Sequence, residues 1–284
     1  MKTIVLSLAL TALLAAAHGA CAQPAIVEAV QYPAWLERGG NAVPLAPGTA
    51  LQAQDRLRTG GNARVLLKLP EGSAVKLGEN AQFVFEKAEE RGIFRATLSV
   101  LTGAFRFTTD VLRKGQKRDI AIKVQNVTAG IRGTDLWGKS TGERDLVCLL
   151  EGKISVGAAG HPQVTLDQRL DFYVKPRDGE PTVAKVDEKQ IVEWSQETEI
   201  AKNAPAARVG GKWAVRADTL RSRDGALALN RLLRASGYPS EVTPREGQFT
   251  VQITGLAGED EARALMANLR GVKGVEVPIL VSPE

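Results

Sequence analysis

Two short segments near the C-terminus carry side chains that could bind a ligand by hydrogen bonding. Apolar and polar residues alternate in residues 213–218 and again in residues 248–253. This period is typical of β-strands, whose successive side chains point to opposite faces of a sheet. The apolar set must face the core, so an open face is predicted to carry the polar set: Arg216, Gln248, Thr250 and Gln252. An arginine can hold a carboxylate with two donors, and amides and hydroxyls complement hydroxyl groups. The alternative is a sheet face that is polar only because it is solvated.

Residues that could do catalysis are sparse, and the sequence predicts no catalytic residues, no metal site and no cofactor. His161 is the only histidine after residue 18, which excludes a two-histidine metal site and leaves no obvious general base. Cys148 lies in an apolar run and is predicted to be a small buried residue rather than a nucleophile. Asp135 is interpreted as a turn residue whose side chain satisfies backbone groups at a strand start.

The first residues predict export. Lys2 precedes an apolar run from Ile4 to Leu14, which is too short for a membrane-spanning helix. A small-residue exit, Ala20-Cys21-Ala22, completes the pattern of a secretory signal peptide over residues 1–22, with cleavage after Ala22. One alternative is an uncleaved anchor helix. The other is a lipoprotein with lipid on Cys21, although His18 stands where such signals usually have leucine.

Composition narrows the class of protein further. The chain has 284 residues and a net charge of +5, which is spread along the sequence without a basic run. No nucleic-acid partner is therefore expected. No later segment is long and apolar enough to span a bilayer, so no transmembrane segment is expected after signal cleavage. Cleavage would leave Cys148 alone, and the folds would then depend on their own cores.

After an N-terminal segment, residues 23–54, the chain changes into a series of short strands over residues 55–174. The strands recur about every ten residues and alternate with turn signals such as Pro70-Glu71-Gly72 and Gly78-Glu79-Asn80. Helical periodicity is absent from this region. The pattern predicts an all-β domain, either a short-strand sandwich or a solenoid-like roll.

Residues 175–207 are predicted to form one helix and a linker. The helix is predicted within Val186–Lys202, and Asn203–Ala207 is small, polar and proline-bearing. A second module follows over residues 208–284. It contains an internal duplication at an offset of 36 residues, in which Trp213 aligns with Phe249 and Leu229 with Leu265.

Each half of the duplication begins with a strand pattern and continues into an amphipathic helix, Asp224–Ser236 in the first half and Asp260–Arg270 in the second. Asp224 and Asp260 are predicted to cap these helices. With strands at Ser240–Val242 and Val275–Leu280, the order is β-α-β-β-α-β. We therefore expect an α+β module whose helices cover one face of the sheet and leave the other open.

Residues 57–156 resemble the FecR domain. The resemblance rests on several motifs in order: Leu57-Arg58-Thr59-Gly60, Leu69-Pro70-Glu71-Gly72-Ser73, Ala129-Gly130-Ile131-Arg132-Gly133-Thr134-Asp135 and Leu150-Glu151-Gly152-Lys153-Ile154-Ser155-Val156. The resemblance implies a periplasmic β-rich domain. Some members of that family regulate sigma factors, and many others are exported modules.

Residues 212–281 resemble the SPOR, or sporulation-related repeat, domain, which implies a four-stranded sheet that binds septal peptidoglycan. Where that family has Gln-x-Gly-Ser-Phe, this chain reads Arg216-Ala217-Asp218-Thr219-Leu220. The resemblance therefore adds Thr219 to the candidate glycan-binding residues.

Together these features predict a periplasmic, non-catalytic peptidoglycan-binding protein of the cell envelope, connected with cell division. The C-terminal module would dock on glycan strands, and the β domain would present or recruit an envelope protein. The alternative is a FecR-type signalling regulator that acts in the envelope on a sigma-factor pathway. An envelope hydrolase is disfavoured because the sequence offers no nucleophile–base pair.

Overall fold

In a computed structural model, the described residues are 24–90, 93–109, 117–131 and 133–283. The predicted signal peptide, its cleavage site and Cys21 lie outside these residues, as does Arg132. Among the described helices, none is long and apolar enough to cross a membrane.

The described residues before Glu188 contain strands and no helix, as the strand pattern predicts. Sixteen strands precede the first helix of the described chain: β1 (Ile26–Gln31), β2 (Ala34–Arg38), β3 (Asn41–Pro44), β4 (Asp55–Thr59), β5 (Arg64–Lys68), β6 (Ala74–Leu77), β7 (Gln82–Glu90), β8 (Phe94–Thr108), β9 (Arg118–Val124), β10 (Val127–Ile131), β11 (Asp135–Ser140), β12 (Arg144–Glu151), β13 (Ile154–Ala158), β14 (Val164–Leu166), β15 (Asp171–Pro176) and β16 (Thr182–Lys185).

These strands form two sheets that share one long strand. One sheet runs in the order β3-β2-β4-β7-β8-β9-β10-β13-β14, and the other in the order β16-β15-β12-β11-β8-β6-β5-β1. β8 passes from one sheet to the other near Gly103, which has φ +88° and where a Cβ would lie 2.5 Å from the Cα of Ala81. Only glycine fits both that backbone conformation and that close approach.

Helix α1 (Glu188–Gln196) lies against the outer side of the second sheet and is shorter than the predicted Val186–Lys202. Its Trp194 ring stacks on Trp137 with centroids 4.5 Å apart. After the helix ends, Glu197 pairs with Lys139 at 2.8 Å, which fastens the following segment to the sheet.

The segment predicted as a linker is buried. Ala204, Ala206 and Ala207 are each at most 8% exposed. Strand β17 (Ala206–Arg208) pairs with β1 on one side, and on the other side Ala207 pairs with Leu256. Small side chains without charge suit such a site, because they allow the strand to pack closely against both neighbours. This segment therefore joins the two modules through a strand and not through an exposed linker.

The C-terminal module has the predicted β-α-β-β-α-β order. Its elements are β18 (Trp213–Leu220), α2 (Arg223–Ala235), β19 (Glu241–Arg245), β20 (Gln248–Leu256), α3 (Glu259–Leu269) and β21 (Ile279–Val281). The strand order is β21-β18-β20-β19, and all neighbours are antiparallel. The predicted fold class, an all-β module followed by an α+β module, is confirmed.

The helix caps differ from the prediction. Ser222 caps α2, because its hydroxyl accepts a hydrogen bond from the Gly225 backbone N–H. Gly258 precedes α3 and provides no side-chain cap. Asp224 and Asp260 lie in the first turns, where their charge still interacts favourably with the helix dipole.

Candidate functional site

The candidate site lies on the sheet face of the C-terminal module that is opposite its helices. Val215 and Ile253 face each other across β18 and β20, and both are fully buried. They belong to the same apolar cluster as Leu229 of α2 and Leu265 of α3. Because side chains alternate along a strand, the residues between these buried positions lie on the open face.

The strand register brings four of the five predicted site residues into two adjacent pairs. Arg216 lies opposite Gln252, and Thr219 lies opposite Thr250. Gln248 is two positions before Thr250 on the same strand, so it shares their face, and it is exposed. All five residues therefore lie on one face.

A bulge in β18 explains why strict alternation would misplace Thr219. The register shifts between Arg216 and Asp218, so Thr219 is the residue opposite Thr250. Strict alternation puts Asp218 on the open face instead. The Asp218 carboxylate accepts a hydrogen bond from the Thr219 backbone N–H at 2.7 Å, and this contact stabilises the irregular turn of the strand.

Two of these side chains have buried polar atoms that lack hydrogen-bond partners among the described residues. They are Nε of Arg216 and Oγ1 of Thr219. Within the same part of the chain, Arg216 also forms no ion pair. An unsatisfied buried donor or acceptor costs free energy, and a ligand that hydrogen-bonds to it removes that cost. Thr250 is only 7% exposed, so it is the least accessible of the five.

Strand β19 adds three more polar side chains to the open face. Glu241 lies opposite Gln252, Thr243 opposite Thr250, and Arg245 opposite Gln248. Sequence reasoning did not assign these residues to the site. The strand pattern of this segment is weak in the sequence, because Glu241–Arg245 contains a proline and has only one clearly apolar position, Val242.

Comparison with known families identifies both modules. Residues 55–155 match the family model described as FecR protein, and residues 209–278 match the SPOR domain. The chain combines a FecR domain with a SPOR domain. Both resemblances drawn from the sequence motifs are thus confirmed. FecR and SPOR domains are non-catalytic binding or regulatory domains, and a SPOR domain indicates an envelope location.

Solved structures give a more distant likeness. Two crystal structures of a candidate anti-sigma factor from Parabacteroides distasonis each align with a TM-score of 0.43. One is 11% identical, covering 69% of this chain and 97% of the other, and the second is 12% identical, covering 81% and 99%. The comparison with curated proteins finds no match.

In the FecR domain, two signature motifs meet at one end of a sheet. Thr134, from the motif Ala129–Asp135, exchanges hydrogen bonds with Thr109, which follows β8. Ala74, directly after the motif Leu69–Ser73, pairs with Thr108 on the same strand. The Asp135 carboxylate accepts two hydrogen bonds from Arg106, at 3.0 and 2.6 Å. Among the described residues, Asp135 is therefore an ion-pair partner on the sheet and not a turn residue that satisfies backbone groups.

Cys148 and His161 lie in the N-terminal β module, outside the open sheet face. Cys148 is fully buried, and this burial raises the pKa of its thiol to about 12. His161 lies in a loop beside Glu180, with Nδ1 3.2 Å from the carboxylate. Within the described ranges, no group of three or more potential ligands is arranged to hold a metal ion.

Proposed function

We propose that this chain is a periplasmic peptidoglycan-binding protein whose SPOR domain docks on glycan strands through the open sheet face. The observation that supports this proposal best is the state of Arg216. Its guanidinium forms no ion pair with any described residue, and its Nε is buried without a partner, as is the hydroxyl of Thr219 on the same sheet face. SPOR domains bind peptidoglycan, so the match over residues 209–278 supports the same ligand.

The chemistry of this face fits a glycan strand without stem peptides. Such a strand presents hydroxyl and acetamido groups, and each muramic acid carries a free lactyl carboxylate. Arg216 would hold that carboxylate through two charge-assisted hydrogen bonds. The hydroxyls of Thr219 and Thr250 and the amides of Gln248 and Gln252 would bind the neighbouring groups. When a stem peptide is attached, the lactyl group is an amide, so the charge that Arg216 needs is absent.

The experiment is a pull-down of purified protein with wall sacculi, before and after amidase treatment. Arg216→Ala and Gln252→Ala are the test variants. We expect Arg216→Ala to weaken binding by about tenfold to a hundredfold, because a hydrogen bond to a charged group contributes roughly 1.5–3 kcal/mol. Gln252→Ala is expected to weaken binding by about twofold to tenfold, because a hydrogen bond between neutral groups contributes roughly 0.5–1.5 kcal/mol. The free energy of unfolding is expected to change by less than about 0.5 kcal/mol, since neither side chain lies in the core.

Arg263→Ala is the matched control. Arg263 is also an arginine of the SPOR domain, but it lies on α3, where it pairs with Glu259 and is 61% exposed. Loss of binding in this variant would mean that general positive charge attracts the wall polymer, and binding would then fall with salt in every variant. If Arg216→Ala and Gln252→Ala both bind sacculi like the parent, the open face is only solvated and the proposal is wrong.

The FecR domain would then present or recruit an envelope partner while the SPOR domain holds the protein on the wall. N-terminal sequencing of envelope material tests the location: we expect Gln23 as the first residue, without lipid. A chain that begins with acylated Cys21 would place the protein on a membrane instead. Preference for amidase-treated sacculi predicts concentration at division sites, which a fluorescent fusion would reveal.

The second candidate function is a signalling regulator on a sigma-factor pathway. The match of residues 55–155 to the FecR protein family supports it. The mature N-terminus separates the two candidates. A regulator that passes a signal inward needs a membrane-crossing segment before the FecR domain, so recovery of uncleaved chain in the inner membrane would favour regulation. A free chain that starts at Gln23 would favour wall binding.

A further inference from the structure

The fourth strand of the SPOR sheet brings a different kind of residue to the open face. Ile279 of β21 lies directly opposite Arg216 of β18. Its neighbour Leu280 pairs with Val215 and packs against the core. Since alternate side chains face opposite ways, Ile279 points to the open face, where it is 49% exposed.

The open face therefore has a polar area and an apolar border. On β18, β20 and β19 the row that contains Arg216 continues with Gln252 and then Glu241. On β21 the two open-face positions are both aliphatic, Ile279 and Val281. An exposed isoleucine at this position places aliphatic surface directly beside Arg216, where it can contact methyl groups of a ligand that the arginine binds.

We propose that Ile279 is a specificity-determining residue of the glycan site, forming an apolar wall beside Arg216. This inference rests on the function proposed above. The ligand would be a muramic acid unit whose lactyl carboxylate pairs with Arg216 while its lactyl and acetamido methyl groups contact Ile279. The match is one of chemistry, because these sugars carry a charge and methyl groups close together.

The Ile279 side chain would strengthen binding in two ways. Contact with methyl groups removes apolar surface from water. It also excludes water from the side of Arg216 that faces β21, and charges attract each other more strongly when less water surrounds them. The buried, unpartnered Nε of Arg216 indicates that this part of the guanidinium is already shielded from solvent. The two residues are therefore expected to be energetically coupled.

Ile279→Thr tests this apolar contact. Threonine keeps the β-branched shape that suits a strand, but it replaces the ethyl group of isoleucine with a hydroxyl. On amidase-treated sacculi we expect binding to weaken about threefold to tenfold. Val183→Thr is the matched control. Val183 is likewise an exposed aliphatic residue on an edge strand, 51% exposed on β16 and outside the SPOR domain, so this variant is expected to bind like the parent.

Repeating Ile279→Thr in an Arg216→Ala background tests the coupling, at a raised protein concentration. Because only the contact with methyl groups remains in that background, the second substitution is expected to weaken binding by a smaller factor than it does in the parent. If Ile279→Thr weakens binding by the same factor in that background as in the parent, Ile279 does not act together with Arg216 and the inference is overturned. Parent-like binding by Ile279→Thr, with weak binding by Arg216→Ala, would overturn this inference alone. Parent-like binding by both single variants would also remove the proposed function.

Discussion

Tyr32, which directly follows β1, and Tyr238 of the SPOR domain pack their rings together, with centroids 6.0 Å apart and planes inclined at 58°. Trp35 strengthens this contact by donating its indole N–H to the backbone carbonyl of Ala235. The apolar cluster runs continuously from Tyr32 to Tyr238. The two modules therefore share part of one core, and binding at the SPOR face would fix the orientation of the FecR domain relative to the wall.

This shared core predicts that the contact contributes to stability. Gly237 has φ +84°, and a Cβ there would lie 2.8 Å from both Pro33 and the Trp35 ring. We expect Gly237→Ala to lower the free energy of unfolding by about 2–4 kcal/mol, through backbone strain plus overpacking. Thermal unfolding measures this effect. Limited proteolysis is expected to cut between the modules in this variant and not in the parent.

Gly247→Ala separates the two causes. Gly247 also has positive φ, +75°, but no atom lies within 4 Å of the position of its Cβ. Gly247→Ala is therefore expected to lower the free energy of unfolding only through backbone strain, by about 1–2 kcal/mol. Equal losses in the two variants would mean that the contact between the modules contributes nothing. Ready cleavage of the parent within 203–207 would contradict the buried strand β17.

The linker is also where sequence reasoning was weakest, and the reason is physical. Asn203–Ala207 is short, small and proline-bearing, which are properties of linkers. Its burial depends on β1, which lies more than 170 residues away, and no local pattern reports that partner. The helices and strands of the SPOR domain were predictable because each buries its own periodic apolar face. The bulge at Asp218 was not, because alternation assumes that the register continues unbroken.

Val215 tests the assignment of the two sheet faces. It is fully buried beneath the helices, so Val215→Asp would place a charge in the apolar core. We expect this variant to lose more than about 4 kcal/mol of its free energy of unfolding, and circular dichroism is expected to show an unfolded SPOR domain. Thr254→Asp introduces the same carboxylate at an exposed position of β20 and is expected to cost less than about 1 kcal/mol. A folded Val215→Asp variant would show that the faces are assigned the wrong way round.

A buried carboxylate of the FecR domain forms an ion pair with an arginine that follows β15. Asp145 is 0% exposed and accepts hydrogen bonds from Arg177 at 2.6 Å and from Ser140 at 2.8 Å. Asp145→Ala leaves Arg177 without this partner, and we expect the free energy of unfolding, measured in denaturant, to fall by about 1–3 kcal/mol. Asp167→Ala is the control, because the Lys153–Asp167 pair is exposed and contributes at most about 1 kcal/mol. Similar losses in both variants would contradict a special role for the buried pair.

Cys148 is expected to be inert in the folded protein. Its pKa, raised to about 12 by burial, leaves about one thiol in ten thousand ionised at pH 8, and the thiolate is the reactive form. Treatment with iodoacetamide at pH 8, followed by mass spectrometry of the peptide that contains Cys148, is expected to find no alkylation until denaturant unfolds the chain. Rapid modification of the native protein would contradict the burial of this thiol.

The same raised pKa predicts a pH dependence of stability. A thiol whose pKa is 9.0 when unfolded and about 12 when folded ionises first in the unfolded chain. Ionisation then favours unfolding, so the contribution of the neutral thiol is complete below pH 9 and is lost as the pH rises toward 12. Between pH 8 and pH 10 we expect the parent to lose about 1 kcal/mol more than Cys148→Ala, measured by urea unfolding at both pH values. The comparison with Cys148→Ala removes the contribution of other groups that titrate in this range, including the buried Tyr32, whose pKa is also raised by desolvation. Parallel pH profiles for the two proteins would mean that Cys148 ionises equally well in the folded chain.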